Sequence, residues 1–328
     1  MSMPEISVII VNWNGKHFLD DCLGALRRQT FRDFETILVD NGSSDGSSDY
    51  VRTQFPEVRL VALPENRGFT GGNIAGYELA EGNLIILLNN DTEAHPAWLE
   101  EVHQASRRFP DAGSFASKMM YFNSRGRIEN CGFAVATAGT TVDLGRDEMD
   151  GPAWTRPREV FGACGGAVAY RRSMLADIGF LDPDFFMVYE DVDLSFRAQL
   201  RGYSCVYIPT AIVFHRYRAT LGTRPARQVF YSQRNIEFVY LKNMPAGLIL
   251  RYLLQRLLYE VGAGIYFARL GSGTAFLKSK WDVIRHLPTL WCKRKEIQRT
   301  RTVGNQRMLA IMQPGLASKW RKLLSSWE

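Results

Sequence analysis

Three carboxylates fall within four positions at Glu190, Asp191 and Asp193, after Tyr189 and before Arg197. Charges that close repel unless a helix start separates them, and the exposed backbone N–H groups of such a start favour anions. A spacing of four pairs Asp193 with Arg197 along the helix. That leaves Glu190 and Asp191 at its mouth, where either is suited to be a general base. A base has to be ionised and within about 2.6–3.2 Å of the hydroxyl it deprotonates. A plain helix start with no chemistry attached is the other reading, and the residues alone leave both open.

A second group ends strand-like runs. Asp91 follows the apolar stretch 84–88 after Asn89 and Asn90. One carboxylate beside a diphosphate is enough for a hard divalent ion, which takes its other ligands from water and phosphate oxygens. Of the five histidines, only His215 ends a β run (211–214) and opens a polar loop. It is a metal or phosphate ligand, or a strand-end hydrogen bonder. Asn12 and Asn14 follow the run 6–11, Asp40 follows 34–39, and residues 65–73, with Asn66, Gly68, Gly72 and Asn73, follow 58–63. Any one of these is explained by capping; together they describe a pocket at strand ends. The first turn has no G-x-G-x-x-G and the segment 68–72 has no Walker lysine, so a dehydrogenase-type dinucleotide site and a P-loop are excluded. H-E-x-x-H and Gly-x-Ser-x-Gly are missing too, which removes the hydrolases they mark.

Such residues need a sheet to hold them. The chain has 328 residues, 46% hydrophobic and 23% charged, which excludes disorder and leaves room for one large α/β domain with an appendage. Its five cysteines include no C-x-x-C pair, against a disulfide framework or a cysteine-built zinc site. Strand patterns at 6–11, 34–39, 58–63 and 84–88 alternate with helical patterns at 17–28, 48–55 and 73–80, the grammar of a mainly parallel sheet with helices on both faces. A helix is expected over 96–109, short strands over 113–170, and a surface or lid loop carrying Trp154 over 145–157. Helices at 171–178 and 190–200 precede two β runs, 204–208 and 211–214. Beyond them lie helical patterns at 228–241 and 248–270.

The segments 7–14 (Ser-Val-Ile-Ile-Val-Asn-Trp-Asn), 38–46, 65–73, 87–91 (Leu-Leu-Asn-Asn-Asp) and 189–197 resemble, in order and spacing, a glycosyltransferase family 2 enzyme of GT-A fold. They are most similar to its rhamnosyltransferase-like branch, which builds bacterial cell-surface polysaccharide. The resemblance covers residues 5 to about 240 and implies an inverting, metal-dependent transfer from a nucleoside diphosphate sugar, dTDP-rhamnose or a UDP-sugar, to a glycan or polyprenyl diphosphate-linked acceptor. It places Asn12, Asn14, Asp40, Asn66, Gly68, Gly72, Asn73, Asn90 and Arg234 on the donor. It places Mn²⁺ or Mg²⁺ on Asp91 and His215. Asp191 is implied as base with Glu190 orienting it, and Gly165 and Gly166, with Trp154, on the acceptor side. The chain departs from the family pattern at Asn90, where an acidic or prolyl residue is usual, and at Ile74, where a second asparagine is common. A sugar nucleotidyltransferase and a non-catalytic glycan-binding protein are the alternatives. The first turn lacks the Arg- and Lys-bearing Gly loop of the former, and retention of Asp40, Asp91, Asp191 and His215 argues against the latter.

The implied arrangement is a GT-A catalytic domain over 1–240 (nucleotide-sugar half 1–110, acceptor half 111–240) and a basic amphipathic helical extension over 241–328. Residues 271–328 carry twelve Lys/Arg against three Asp/Glu, whereas the whole chain has a net charge of only +6. Arg251, Arg256, Glu260 and Arg269 interrupt the apolar stretch 248–270, so a membrane-spanning helix is not expected. With Trp281, Trp291, Trp320 and Trp327, the extension suits an anionic membrane surface; a helical cap or a homodimer interface is the competing reading. No nucleic-acid module accompanies the basic residues. The absence of a basic n-region before residue 6 points to a cytoplasmic protein, peripheral on the inner face of the membrane.

Overall fold

Along the first strand, β1 (Ile6–Asn12), Ile6, Val8 and Ile10 pack on one face with Leu19, Leu23 and Trp98, while Ile9 packs on the other with Leu87, Tyr170 and Leu194. Successive side chains of a strand point to opposite faces, so a strand apolar on both has to be covered on both. The computed structural model describes residues 3–216 and 226–315. From β1 the chain runs through α1 (Leu19–Arg27), β2 (Phe34–Asn41), α2 (Ser47–Gln54), β3 (Arg59–Leu63), α3 (Gly68–Tyr77) and β4 (Leu84–Asn89). There follow β5 (Thr92–Ala94), α4 (Trp98–Arg108), β6 (Ala112–Tyr121), β7 (Ser124–Asn130), β8 (Phe133–Val135), β9 (Thr141–Asp143), β10 (Arg158–Val160) and β11 (Ala167–Arg171). The last part comprises α5 (Arg172–Ile178), α6 (Glu190–Leu200), β12 (Ser204–His215), α7 (Ala226–Asn243), α8 (Ala246–Arg269), α9 (Gly273–Thr300) and α10 (Asn305–Ile311).

The main sheet runs β10-β12-β6-β11-β4-β1-β2-β3. Strands β1 to β4 are mutually parallel, and β11 lies antiparallel between β4 and β6. This is the expected α/β GT-A architecture. Because β2 and β3 lie on one side of β1 and β4 on the other, the carboxyl ends of β1 and β4 flank a topological switch point, where open α/β sheets bind ligands.

The two expected runs 204–208 and 211–214 are one strand, β12, with a register shift between Ile208 and Ile212. Its end pairs His215 with Thr92 of β5 and with Tyr121 of β6. The residue before Thr92 is Asp91, so the register alone brings the predicted carboxylate and imidazole together. The glycine-rich segment is not a turn ahead of a helix starting near residue 73; it forms the first turns of α3. A side chain at Gly72 would meet Val11 Cγ1 at 2.6 Å and one at Gly76 would meet Ile9 Cγ2 at 2.5 Å, so the glycines let α3 lie close on β1.

Residue 240 lies inside α7, near its end. A third core cluster, with Phe133, Phe161, Phe185, Phe238, Leu248 and Leu290, joins α7 to α9 onto the α/β body. All five cysteines are free thiols.

Candidate active site

At the strand ends expected to take the donor, polar side chains mostly build the loops that carry them. Asn14 sits at φ 51°. It receives the Ser44 N–H on its side-chain oxygen at 2.8 Å and donates its own N–H to Ser43 Oγ at 2.9 Å, tying the β1 loop to the β2 loop. Asp40 is buried and accepts from the Ser43 N–H at 3.1 Å and from the Ser48 hydroxyl. Asn66 accepts from the Gly68 N–H at 2.8 Å and from Asn41 Nδ2 at 3.2 Å. Asn90 donates to Asn12 Oδ1 at 2.7 Å, which closes the switch point between β4 and β1. A side chain at Gly15 would strike that bond, 2.3 Å from Asn90 Nδ2.

At the end of β4, Asp91 Oδ1 lies 3.1 Å from His215 Nε2, and His215 Nδ1 lies 2.7 Å from Glu129 Oε2. Burial opposes a charge on the imidazole, but its hydrogen bonds to Asp91 and Glu129 outweigh it and raise His215 to about 10. Neighbouring ligands about 2.1 Å from an octahedral ion stand about 3 Å apart. The Asp91–His215 spacing therefore fits one edge of such a site. Ligating histidines commonly donate their other ring N–H to a carboxylate, which fixes the tautomer and leaves the lone pair for the metal. Glu129 stands in that position. Among the described residues no group of three or more His, Cys, Asp or Glu forms a metal cage. A divalent ion here needs oxygen ligands from substrate and water.

The third corner is the start of α6. Val188 and Tyr189 both hold positive φ, 59° and 71°, although neither is glycine. Such residues are strained unless their surroundings hold them. Asn235 Nδ2 donates to the Met187 and Val188 carbonyls at 2.8 Å each, and the Asp193 N–H donates to the Tyr189 carbonyl at 2.9 Å. Asp193, fully buried, pairs with Arg197 at 2.9 Å as its spacing predicts, and with Lys242 at 2.8 Å. That network anchors α6 and leaves Glu190 and Asp191 at its mouth.

Asp191 takes the Gly165 N–H on Oδ2 and the Val192 N–H on Oδ1, both at 2.8 Å. Burial, with a smaller push from Asp143, raises it to about 6 against those two hydrogen bonds. Glu190 is pushed well above the usual carboxylate range by burial and by the charge of Asp191, and its Oε2 has no hydrogen-bond partner among the described residues. Two adjacent buried carboxylates resist double ionisation. The two N–H donors place the single charge on Asp191.

The three corners meet across Gly165 and Gly166. The Asn89 N–H donates to the Gly166 carbonyl at 2.9 Å, and Asn89 Nδ2 is 3.4 Å from His215 Nε2. A side chain at Gly166 would lie 2.9 Å from Met119 Cε, whereas one at Gly165 would stand 3.6 Å from the Asp191 carboxylate.

The model of glycosyl transferase family 2 matches residues 7–179, more than half the chain. The chain belongs to glycosyltransferase family 2. Among its relatives, the N-acetylglucosaminyl-diphospho-decaprenol L-rhamnosyltransferase of Mycobacterium tuberculosis is 26% identical over 271 residues, covering 74% of this chain and 85% of that protein. The O-antigen biosynthesis protein RfbC of Myxococcus xanthus is 27% identical over 66% of this chain, which spans only 18% of RfbC. In fold, the chain matches the Pyrobaculum calidifontis mannosyltransferase in complex with GDP-Man and Mn²⁺ (TM-score 0.53, 16% identity, 92% of this chain and 86% of that one). It also matches GalNAc-T7 with UDP, GalNAc and Mn²⁺ (TM-score 0.58, 16% identity, 74% of this chain and 50% of that one). The protein is a GT-A glycosyltransferase, similar to the rhamnosyltransferases of its family.

Not every residue expected at the site of this family 2 enzyme reaches it. Trp154 is buried in the core: its indole N–H donates to Glu148 at 2.8 Å, Tyr207 meets it edge-on, and Arg158 covers the ring at 4.2 Å. The surface loop is anchored by that ring rather than presenting it to an acceptor. The Arg234 guanidinium donates to the Asp184 carbonyl at 2.7 Å and pairs with Asp282 of α9 at 3.4 Å, which makes it a strut between α7, α9 and the loop before α6. Asn73 donates to the Phe69 carbonyl inside α3 at 2.8 Å, and Gly72 provides helix–strand clearance, so both act through packing. Gly68, at φ +73°, makes way for the Phe186 carbonyl, which a side chain would approach to 2.2 Å. Neither residue type nor spacing marks Glu129 as the orienter of His215 or Asn41 as a loop partner of Asn66. Glu129 lies on β7, in the stretch of 113–170 with no periodic signal, and only the β6–β7 pairing brings it to His215.

Proposed function

We propose that this glycosyltransferase moves a sugar, rhamnose as the first candidate, from a nucleoside diphosphate donor to a hydroxyl of a polyprenyl diphosphate-linked glycan, with inversion at the anomeric carbon. The observation that carries the reading is the Asp191 carboxylate at the mouth of α6, held by the Gly165 and Val192 N–H groups and raised to about 6. Such a group is ionised at neutral pH and more basic than an ordinary aspartate, the property a general base needs. It accepts the proton of the acceptor hydroxyl as that oxygen attacks the anomeric carbon. With Asp191 assigned to the proton of the acceptor hydroxyl, that oxygen displaces the diphosphate in a single step, which inverts the anomeric carbon; Glu190 would orient Asp191.

Asp91 and His215 would hold Mn²⁺ or Mg²⁺, with Glu129 fixing the imidazole. When bound, the ion offsets the charge that develops on the departing diphosphate. The loops built by Asn12, Asn14, Asp40, Asn66 and Asn90 would line the switch point and receive the nucleotide. Rhamnose and a lipid-linked acceptor are favoured by the likeness to the mycobacterial L-rhamnosyltransferase, most of whose length this chain covers. Acceptors of that kind place the protein on the inner face of the cell membrane.

The test offers purified protein dTDP-rhamnose and a panel of UDP-sugars, with Mn²⁺, Mg²⁺ or chelator, and a soluble lipid-diphosphate glycan analogue. Metal-dependent transfer from dTDP-rhamnose with inverted product is expected. Transfer only from a UDP-hexose would overturn the sugar assignment, and a retained anomeric configuration would overturn the base.

A further inference from the structure

The mid-helix charges of α8 point inward, while Arg251 and Arg269 near its ends are exposed. Arg256 is 4% exposed and pairs with Glu237 and Glu260 at 2.7 Å each; Lys280 of α9 closes the cluster on the same two acids. Gln255 accepts from Thr137. Gln255, Arg256 and Glu260 therefore lie on the side packed on the protein. Leu250, Leu254, Leu257, Val261 and Ile265, spaced along one helical face, point out, with Leu250 77% and Leu254 70% exposed.

After a turn at 270–272, α9 returns beside α8 as a helical hairpin and extends the same surface with Leu277, Trp281, Ile284 and Trp291, each more than half exposed. Of the sixteen exposed large apolar side chains among the described residues, thirteen lie on this hairpin and its turn, so they form a patch rather than scatter. The exposed charges of the hairpin are six basic residues, Arg251, Lys278, Arg285 and Lys295 among them, and one acid, Glu296. At its open end a cavity of about 340 Å³ is lined by Gly247, Trp291, Arg294, Lys295 and Arg301 with no carboxylate. Gly247 lies one turn before Leu250 and Lys295 one turn after Trp291, so the cavity continues the apolar ridge and offers cations to a phosphate.

We propose that the α8–α9 hairpin lies flat on an anionic phospholipid surface, its leucines and tryptophans below the head groups, its exposed cations at their level and the basic cavity holding a head-group phosphate. No helix among the described residues is long and apolar enough to cross a membrane, and a face of this polarity suits binding in the plane of the interface. A second copy of the chain is a poorer occupant, because it would set one basic rim against another, whereas anionic lipid neutralises it. Trp320 and Trp327, also expected at head-group level, lie outside the described residues. The proposal refines where the enzyme of the preceding section works; vesicle binding is measured without donor sugar, so its failure and a failure of sugar transfer are separate results.

The full chain is floated with phosphatidylcholine vesicles with and without phosphatidylglycerol, at low and high salt. Binding to the anionic vesicles that weakens with salt is expected. The double substitution Leu254→Glu and Leu258→Glu should lower it at least about tenfold. Thermal unfolding and transfer to a water-soluble acceptor should stay unchanged, because both side chains project into solvent. Lys295→Glu with Arg285→Glu should remove most of the salt-sensitive part. No binding to either vesicle, or equal binding by the double leucine variant, would overturn the proposal. So would a dimer that dissociates in the leucine variant while vesicles stay unbound.

Discussion

The sides of the candidate site expected to take donor and acceptor satisfy their polar groups differently. At the ends of β1, β2 and β3 nearly every side chain already has a local partner: Asn14 with Ser43 and Ser44, Asp40 with Ser43 and Ser48, Asn66 with Asn41 and Gly68. On the expected acceptor side, the Glu190 carboxyl keeps an oxygen without a partner among the described residues, Asp191 is raised to about 6, and two consecutive residues hold strained backbone. A nucleotide site rewards a rigid frame, since preorganised donors and acceptors lose little on binding. A proton-transfer site needs a group left short of solvation, because full satisfaction would hold the carboxylate at its ordinary, weakly basic pKa.

The largest effect expected from this contrast is on Asp191. Asp191→Asn should lower kcat by about 10²–10⁴-fold, the usual contribution of a positioned base, with donor affinity intact. In the unaltered enzyme kcat/KM should fall as pH drops through about 6, tenfold per unit below it, because only the ionised carboxylate accepts a proton. An acid limb near 4 would mean that the burial on this side does not tune the base. Next comes Glu129→Gln, which should weaken Mn²⁺ binding about 10–100-fold, read by titration calorimetry without acceptor, since it loosens the orientation of His215 without removing a ligand. Unchanged affinity would detach Glu129 from the metal corner. The smallest effect belongs to the donor frame. Asn41 donates to Asn66 and to the Gly68 carbonyl and accepts the Arg67 N–H, so Asn41→Ala should cost about 1–3 kcal/mol of unfolding free energy and raise the donor KM while leaving kcat near its original value. A fall in kcat as large as that of Asp191→Asn would erase the distinction between frame and reaction site.

The two sides also differ in how far the sequence exposes them. Donor-side residues follow short apolar runs at regular spacing, and a strand end is a local property, so Asn12, Asp40 and Asp91 are readable as one rim. Asp193 and Arg197 are likewise local, four residues apart on one helix. Glu129 and His215 are 86 residues apart and meet because β6 pairs with β7 on one side and with β12 on the other. No window of sequence contains that relation. Arg234 and Trp154 carry the opposite lesson: residue types common at sugar and phosphate sites serve here as a strut and a loop anchor, because partners distant in sequence, Asp282 and Tyr207, reach them first.

Hydrophobic periodicity, turn chemistry and the order of polar strand ends determine the parallel sheet, its helices and the carboxylates at 91 and 191, because each depends on residues within a turn or strand of one another. Only the tertiary structure decides which way an amphipathic element faces. In α8 the buried cluster of Arg256, Glu237, Glu260 and Lys280 draws the polar stripe inward and turns the leucines out. Periodicity reports that a helix has two faces, whereas the partners available across the fold set which one meets the protein.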